Sequence, residues 1–341
     1  MSRYQPPFVV TPLILNQVIE IGELVGHWAA MAGRVSPLLR KENRIRTIQA
    51  SLAIEHNSLS EEQVTALMEG KRVLAPAKDI QEVRNAILAY EKMSEWRSER
   101  LADLLNAHRI LMAGLVDNAG QLRTGNVGVY REPQLIHMAP PASQVSRLMN
   151  DLLNWLGSTD LHPLIAGAVF HYEFEFIHPF ADGNGRMGRL WQTLILSAWR
   201  AEFAWLPVET LIHYQQERYY QVLGQCDKQS DCTPFVEFIL ENIISALREG
   251  LDKTTQLSEE MSEEMSEQIL RQGADKLTLT EQRILQILSK QPDGTAKSIA
   301  EACGISARTV ERYLKALQQK GKLQRVGAKK GGVWRVRDTP F

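Results

Sequence analysis

Apolar residues recur at intervals of three and four along most of residues 12–250, which is the period of one helix face. Two such sets are Leu15, Val18, Ile19, Ile21 and Leu24, and Val236, Leu240, Ile243, Ile244 and Leu247. The alternation typical of strands is weak and confined to Val127–Met138, just before Pro140 and Pro141, where it predicts a short hairpin. We therefore predict a mainly α fold.

One pair of helix boundaries can be placed from local signals. Ser60, Glu61, Glu62 and Gln63 form a capping box, which predicts a helix that starts there and stops at Gly70. The helix before it is expected to end near Asn57.

The composition is that of a soluble globular protein, with 44% hydrophobic and 23% charged residues. The length of 341 residues suggests two domains, possibly three, at about 150 residues each. No apolar stretch approaches the ~18 residues of a membrane span, and the first residues do not resemble a signal peptide. The three cysteines fit no metal spacing. We expect a cytoplasmic protein without a membrane partner.

The net charge of −1 conceals an uneven distribution. Residues 276–341 contain 14 lysines and arginines against 5 acidic residues, whereas residues 1–275 contain 25 against 35. The basic tail is the candidate for nucleic acid, although such a run is more often a solvated face. The repeat SEEMSEEMSE predicts an acidic helical linker over 251–275, with a flexible linker as the alternative. It separates predicted domains at 1–250 and 276–341.

The run from His178 to Arg189, H-P-F-A-D-G-N-G-R-M-G-R, lies between two apolar helical segments. Its glycines allow a tight turn that presents backbone N–H groups to an anion, and the following helix adds its positive dipole end. Arg186 and Arg189 are three apart, so both can project to one side and bind phosphate. Asp182 offers a hard carboxylate for Mg²⁺.

His178 titrates near neutrality and can take a proton from an attacking hydroxyl. With the groups above, this predicts transfer of a phosphate-containing group to a hydroxyl. The alternative is a polar turn between helices that is stabilised by arginine. The formal G-x-G-x-x-G match at 183–188 lacks a preceding strand, and no phosphate-binding P-loop is present. We interpret His171 as a packed helix residue, because its spacing to His178 fits no metal motif.

The run 178–189 resembles the Fic family motif, H-x-F-x-[DE]-G-N-G-R-x-x-R, at every defined position. The resemblance extends over about 1–250 with a core near 100–200, and implies a Fic-type helical domain that carries a small hairpin flap. Fic proteins are mostly adenylyltransferases, which move AMP from ATP to a Ser, Thr or Tyr hydroxyl of a protein and release pyrophosphate. The implied cofactors are ATP and Mg²⁺, and such proteins are commonly homodimers.

The resemblance also implies a role for each residue of the loop. His178 would be the general base and Asp182 the Mg²⁺ carboxylate. The backbone of Gly183, Asn184 and Gly185 would form the anion hole. Arg186 and Arg189 would bind the β and γ phosphates, while Phe180 would anchor the loop.

Two further sets of residues follow from the same resemblance. The flap, within Gly125–Pro141, would dock an extended strand of the target protein by backbone pairing. Its docking residues would be Arg131, Leu135, Ile136 and His137. Tyr219 and Tyr220 would lie near the adenine, and ordinary core packing is the alternative.

The segment Ser51–Asn57, S-L-A-I-E-H-N, resembles the family's inhibitory motif [ST]-x-x-x-E-[GN]. In that family the glutamate, here Glu55, pairs with the second arginine of the loop, here Arg189, and displaces the γ-phosphate. Ser51, one turn earlier, could orient Glu55 by a hydrogen bond. This chain departs from the motif at His56, where the family has Gly or Asn.

The basic tail is similar to a winged helix-turn-helix, an α+β domain, over 278–336. Its third helix would be capped by Ser306 and would bury Val310, Leu314 and Leu317. Arg308, Thr309 and Arg312 would face a DNA major groove, with Lys329 and Lys330 at the tip of the wing. Such domains also serve as dimerisation or protein-docking modules.

Three hypotheses remain open from the sequence. The first is a self-inhibited protein adenylyltransferase with an appended winged helix. The second is a DNA-binding regulator whose Fic domain senses nucleotide. The third is removal of AMP from a target, with Glu55 orienting the water.

Overall fold

The computed structural model describes residues 4–31, 37–131, 134–252, 277–327 and 332–337. The chain divides into two compact units, Met1–Gln256 and Leu257–Phe341. Beyond Asp252, the predicted linker over 251–275 lies outside the described residues. Within the described ranges, no helix is both long and apolar enough to cross a lipid bilayer.

The first unit is built from helices and one small hairpin. The helices are α1 (Pro12–Met31), α2 (Pro37–Ala53), α3 (Glu61–Met68), α4 (Ala77–Lys92), α5 (Leu101–Leu111), α6 (Ala142–Leu156), α7 (Pro163–Ile177), α8 (Asn184–Trp199), α9 (Val208–Tyr214), α10 (Gln216–Gln229) and α11 (233–252). Short 3₁₀ helices span Met93–Glu95 and Ala201–Trp205. The strands β1 (Gly128–Arg131) and β2 (Gln134–Met138) pair antiparallel between α5 and α6, which confirms the predicted hairpin.

The core of the first unit centres on α7, which is buried on nearly all sides and packs along α8. Gly188 permits the close approach of the two helices, since a Cβ there would lie 2.8 Å from Oε1 of Glu175. His171 is fully buried and hydrogen-bonds Gln192 and Tyr219, which confirms it as a packed residue of α7. No group of three or more histidines, cysteines, aspartates and glutamates could hold a metal within the described ranges.

The predicted capping box is confirmed at the start of α3. The Ser60 hydroxyl accepts from the Gln63 N–H, and the Gln63 side chain accepts from the Ser60 N–H. The preceding helix, α2, ends at Ala53, four residues before the predicted boundary, because the chain turns at His56. His56 has a φ of 66°, and the left-handed conformation ends a helix.

The second unit contains α12 (Leu279–Lys290), α13 (Ala296–Cys303), α14 (Ala307–Gln319), β3 (Leu323–Val326) and β4 (Val333–Val336). The hydroxyls of Thr278, Thr295 and Ser306 cap the three helices. The strands pair antiparallel as the wing. The core contains the predicted inner residues of α14, namely Val310, Leu314 and Leu317, together with Ile284 and Leu288 of α12, and Leu285 packs against it while only partly buried. The winged-helix fold is therefore confirmed.

Candidate active site

The loop from His178 to Gly183 joins α7 to α8. His178 ends α7 with a φ of 49°, and its N–H closes the last hydrogen bond of the helix to Phe174 O. Gly183 has a φ of 83° and precedes α8. The left-handed backbone favours glycine at this position, and a Cβ there would also lie 2.6 Å from Sδ of Met112, so that side chain would have to move.

The side chain of Asn184 fixes the shape of this loop. Its Oδ1 accepts from the Phe180 N–H and its Nδ2 donates to Phe180 O, both at 2.9 Å. Phe180 is fully buried, with its ring stacked on that of His108 at 3.6 Å between centroids. The Asn184 side chain is thus committed to the loop, which leaves its backbone N–H for the predicted anion hole.

His108 supports the loop from α5, and the predicted site residues did not include it. Its Nδ1 accepts from the Gly120 N–H at 2.8 Å, so Nε2 carries the proton and donates to Asp182 O at 3.0 Å. Burial lowers the pKa of His108 to about 4, so the ring is neutral. The available sequence signal was its position between Leu104 and Leu111 on the buried face of an amphipathic helix.

Arg123 is the second supporting residue absent from the predicted site. Its guanidinium donates to the carbonyls of Gly125 at 2.9 Å, Pro140 at 2.6 Å, Ile177 at 3.3 Å and His178 at 2.7 Å. The first two carbonyls flank the hairpin, and the other two end α7, so one buried side chain ties the hairpin to the loop. Arg123 lies in an irregular segment, where no periodic pattern marks a buried residue.

His178 has the tautomer that a general base requires. Its Nδ1 lies 3.3 Å from Glu175 O and 3.9 Å from the Glu175 carboxylate. A carbonyl only accepts hydrogen bonds, so Nδ1 carries a proton, and in the neutral form of the ring the lone pair lies on Nε2. The side chain is 20% exposed, so it can be reached from solvent.

Asp182 lies at the solvent side of the loop, with its side chain 56% exposed. Its Oδ1 accepts from the Gly183 N–H at 2.6 Å and from Nη2 of Arg186 at 3.3 Å. An accessible carboxylate is the donor through which proteins usually hold Mg²⁺ together with substrate phosphates. The donor set therefore fits an ion that ATP would share.

The two loop arginines are buried and each is paired with a carboxylate. Arg186 is 6% exposed, and its Nη1 lies 3.1 Å from Oε1 of Glu82 on α4. Arg189 is 2% exposed, and its Nη2 donates to Oε1 of Glu55 at 2.8 Å. Burial alone would lower the pKa of Arg189, but the Glu55 carboxylate outweighs it and the pKa is raised. The guanidinium of Arg189 is therefore charged.

Ser51 contacts Arg189 instead of orienting Glu55. Its hydroxyl accepts from Nε of Arg189 at 3.1 Å, and its carbonyl accepts from Nη2 at 2.8 Å. The expected bond between Ser51 and Glu55 is absent from the described residues, because the guanidinium lies between the two groups. Ser51 thus fixes the arginine that Glu55 neutralises.

The Glu55 carboxylate occupies the start of α8. A Cβ at Gly185 would collide with Oε1 of Glu55, so the carboxylate oxygen lies directly against the backbone of the predicted anion hole. Its side chain is 32% exposed. A carboxylate at a helix N-terminus is held there by the helix dipole, as a phosphate would be.

Residues 54–57, here called the Glu55 turn, form a Schellman motif at the end of α2. The His56 N–H bonds Ala53 O at 3.0 Å, and the Asn57 N–H bonds Leu52 O at 3.1 Å. His56 occupies the left-handed position, where Gly or Asn is least strained and histidine is tolerated. The departure from the family motif therefore leaves the geometry of the turn intact.

The two tyrosines differ in exposure. Tyr219 is 1% exposed, and its hydroxyl contacts Nε2 of His171 within an aromatic group that includes Phe235, which favours a packing role. Tyr220 is only partly buried, and burial followed by the nearby Glu55 carboxylate raises its pKa. The expectation that either tyrosine lies near adenine stays a prediction.

The flap residues lie on the hairpin, of which the backbone alone is described over 129–131 and 134–137. Arg131 pairs with Gln134, Leu135 with Tyr130, and His137 with Val129. Ile136 lies between these positions on β2. Within the described residues β1 and β2 pair only with each other, so each has an outer edge on which a further strand could pair.

In the second unit, two of the predicted DNA-binding residues are exposed on α14, namely Arg308 and Arg312. Thr309 is partly buried, and its N–H donates to the Ser306 hydroxyl at 3.2 Å as part of the helix cap. Lys329 and Lys330 lie outside the described residues.

Comparisons with known proteins agree with this architecture. A model of the Fic/DOC family matches residues 98–196, and one of the winged helix-turn-helix DNA-binding class matches residues 277–324. The crystal structure of a Fic family protein from Desulfovibrio desulfuricans G20 is 45% identical with a TM-score of 0.72. That match covers 99% of this chain and 100% of the other. The chain belongs to the Fic family.

Curated relatives from animals are named protein adenylyltransferase Fic. Those of Nematostella vectensis and Aedes aegypti are each 32% identical, over 58% and 64% of this chain. They are covered over only 47% and 44% of their own length, so the chain spans about half the length of these relatives. The structure of Fic-1 from C. elegans shares the fold at 22% identity and a TM-score of 0.57.

Proposed function

We propose that this protein is a self-inhibited adenylyltransferase that moves AMP from ATP to a Ser, Thr or Tyr hydroxyl of a target protein. The observation that carries the proposal is the loop 178–189. It brings a histidine protonated at Nδ1, an accessible carboxylate and two buried arginines to the N-terminus of one helix. The names of the relatives support the same reaction.

The chemistry follows from the positions of these groups. His178 Nε2 takes the proton of the target hydroxyl while the hydroxyl oxygen forms a bond to the α-phosphorus of ATP. The bond between the α-phosphorus and its bridging oxygen to the β-phosphate breaks, and pyrophosphate leaves. The backbone N–H groups of Asn184 and Gly185 would stabilise the developing charge on the α-phosphate, while that of Gly183 donates to Oδ1 of Asp182. The loop arginines would hold the departing phosphates.

Asp182 would hold the Mg²⁺ ion, which supplies charge neutralisation to the phosphates when bound. The hydrogen bond from His108 to Asp182 O fixes the backbone of this residue. The hydrogen bond from the Gly183 N–H to Oδ1 of Asp182 fixes its side chain. The protein thus contributes position and charge, which are the main terms in transfers at phosphorus.

Inhibition would arise because Glu55 and a phosphate of ATP compete for Arg189. The carboxylate already neutralises this arginine and lies against Gly185, where a phosphate would bind. ATP bound beside it would lose its γ-phosphate contact, and the α-phosphate would be misaligned for attack. The Glu55 turn belongs to the same chain, so no separate inhibitor protein would be required.

The target would dock as an added strand on the outer edge of the hairpin. Backbone pairing tolerates different side chains, which suits an enzyme with more than one target sequence. A homodimer, expected from the family resemblance, would be tested by sedimentation equilibrium of the full chain.

The reaction type is tested with the Glu55→Gly variant, cell lysate, Mg²⁺ and ATP labelled at either the α- or the γ-phosphate. Adenylyl transfer predicts a labelled protein band with α-labelled ATP and none with γ-labelled ATP. Adding His178→Ala should abolish the band, while Glu69→Gly, which removes a paired surface carboxylate just after α3, should not. A band with γ-labelled ATP would contradict adenylyl transfer.

Removal of AMP from a target is the competing reaction, and Glu55 separates the two. If Glu55 orients a water molecule, Glu55→Gly should stop the release of AMP from a modified target. If Glu55 restrains transfer, the same variant should increase labelling.

A second function, DNA binding, is supported by the exposed Arg308 and Arg312 on α14 and by the winged-helix family match. The test is a gel shift of the full chain with duplex DNA, comparing the unaltered protein with the double variant Arg308→Ala, Arg312→Ala. Binding that weakens in the variant and falls steeply with salt supports DNA contact. Equal binding by both proteins would exclude these two arginines from the DNA contact, and no binding by either would favour a protein-docking role instead.

A further inference from the structure

A buried carboxylate on α4 lies behind the first loop arginine. Glu82 is 5% exposed, and its Oε1 accepts from Nη1 of Arg186 at 3.1 Å. The other terminal nitrogen, Nη2, lies 3.3 Å from Oδ1 of Asp182. One guanidinium therefore connects α4 to the carboxylate that is proposed to hold Mg²⁺.

Glu82 is itself fixed by Asn57, the last residue of the Glu55 turn. Asn57 Nδ2 donates to Oε2 of Glu82 at 2.8 Å and to Asp79 O at 3.1 Å. Asn57 Oδ1 accepts from the Leu59 N–H at 3.1 Å. The amide group is therefore held at both ends, and it holds the Glu82 carboxylate in one orientation.

The two carboxylate–arginine pairs of the site differ in access. The Glu55 side chain is 32% exposed and lies on the phosphate side of α8, so ATP could displace it. Glu82 and Arg186 have side chains that are each 6% exposed. Displacing Glu82 would leave a buried carboxylate without its close partner, since the exposed Lys78 approaches only to 3.9 Å.

The remaining contacts of Arg186 support an anchoring role for Glu82. Nε of Arg186 is buried and has no hydrogen-bond partner in the described part of the chain. Asp182, the other partner of the guanidinium, is more than half exposed and lies on a loop. Glu82 is thus the buried group that sets the direction of this side chain.

We propose that Glu82, fixed by Asn57, is a positioning residue that holds Arg186 through Nη1 and directs Nη2 toward the phosphates of the nucleotide. The inference rests on the proposed function, in which Arg186 binds a phosphate beyond the α position. AMP lacks those phosphates. Loss of the Glu82 charge should therefore weaken binding of ATP and ADP and spare AMP.

Isothermal titration of the full chain with ATP, ADP and AMP in the presence of Mg²⁺ tests the positioning role of Glu82. All variants carry Glu55→Gly, which removes the competing carboxylate. Glu82→Gln keeps the shape of the side chain and removes its charge. It should weaken ATP and ADP binding about tenfold, the size of one charge-assisted hydrogen bond, and change AMP binding by less than about twofold.

A double-mutant cycle separates positioning from general damage. In an Arg186→Ala background, Glu82→Gln should have no further effect on ATP affinity. The matched control is Glu173→Gln, another buried carboxylate, which accepts from the Tyr4 hydroxyl and should leave ATP affinity unchanged. If Glu82→Gln does not fold, Asn57→Ser retains both charges and should weaken ATP binding in the same direction by less.

Three results would overturn the proposal. The first is that Glu82→Gln weakens AMP binding as much as ATP binding. The second is that Glu82→Gln weakens ATP binding equally with and without Arg186. The third is that Glu82→Gln transfers label faster than the unaltered protein when Glu55 is present. The last would make Glu82 a second inhibitory carboxylate. If Glu55→Gly transfers no label but the cycle shows coupling, Glu82 keeps its positioning role and the proposed reaction is rejected instead.

Discussion

The catalytic loop and the Glu55 turn each contain a histidine with positive φ at the end of a helix, His178 and His56. The loop after His178 is held from behind by the buried side chains of Arg123, His108 and Asn184. The Glu55 turn presents a half-exposed carboxylate and an exposed histidine. The same helix-ending geometry thus precedes a loop held by buried side chains in one place and follows a partly exposed carboxylate in the other.

This difference suits the proposed roles of the two regions. A catalytic base must be fixed before the substrate arrives, because misplacement by a fraction of an ångström costs rate. An inhibitory group must be able to leave when the enzyme is activated, so its contacts should be few and partly solvated.

The largest expected effect is at the base itself. His178→Ala in the Glu55→Gly background should reduce label transfer by about 10²–10⁴-fold, the usual contribution of a general base. ATP affinity, measured by isothermal titration, should change little, because His178 is not proposed to bind the phosphates. Normal transfer by this variant would exclude His178 as the base.

The contacts of Arg123 with the loop should contribute to the stability of the folded protein. Arg123→Ala removes four hydrogen bonds to backbone carbonyls and should lower the free energy of unfolding by about 3 kcal/mol. Arg123→Lys keeps the charge but loses the several N–H donors of the guanidinium. Its free energy of unfolding should lie between those of the unaltered protein and Arg123→Ala. Denaturant unfolding measures the free energy of unfolding of both variants. A decrease of less than about 1 kcal/mol for Arg123→Ala would contradict the proposed support of the loop by Arg123.

His108 should make stability depend on pH. Its folded pKa of about 4 lies below the unfolded value, so the neutral ring stabilises the fold above pH 6.5. This contribution should be lost as the pH falls from 6.5 toward 4, because the unfolded chain takes up a proton that the folded chain does not. His108→Gln cannot titrate, so its unfolding free energy should fall by roughly 2–3 kcal/mol less over that interval. Parallel curves for the two proteins would contradict this.

The smallest effect concerns the turn. His56→Gly relieves a left-handed histidine and should stabilise the Glu55 turn by about 0.5–1 kcal/mol. Basal transfer should then fall slightly, since Glu55 is held more firmly. Alanine does not share the backbone freedom of glycine, so His56→Ala should destabilise the Glu55 turn and raise basal transfer. Equal stability and equal basal transfer in the two variants would show that backbone strain at His56 has no effect.

Much of the fold and of the loop was predictable because the responsible signals are local. The helical period, the capping box at Ser60 and the caps of the second unit depend on neighbours within one or two turns. The pairing of Glu55 with Arg189 was also predicted, although only through the family resemblance. The predicted end of α2 was wrong by four residues because the chain leaves the helix at the Schellman motif.

The supporting residues were not predictable in the same way. Arg123 acts on carbonyls as far as 55 positions away, and Glu82 acts on Arg186 across 104 positions. Such contacts are set by tertiary packing, which one sequence does not reveal. The sequence indicates such contacts only indirectly, where a polar residue lies on the buried face of a helix, as Glu82 does beside Val83 and Ala86.

The central claim is that Glu55 restrains a transferase, and the rate of label transfer from α-labelled ATP tests it most directly. The unaltered protein, Glu55→Gly and the control Glu69→Gly would be compared at equal concentration with Mg²⁺ and lysate. Release of a partly buried ion pair at the nucleotide site predicts a rate for Glu55→Gly at least about tenfold above the other two. A rate for Glu55→Gly equal to or below that of the unaltered protein would contradict the claim.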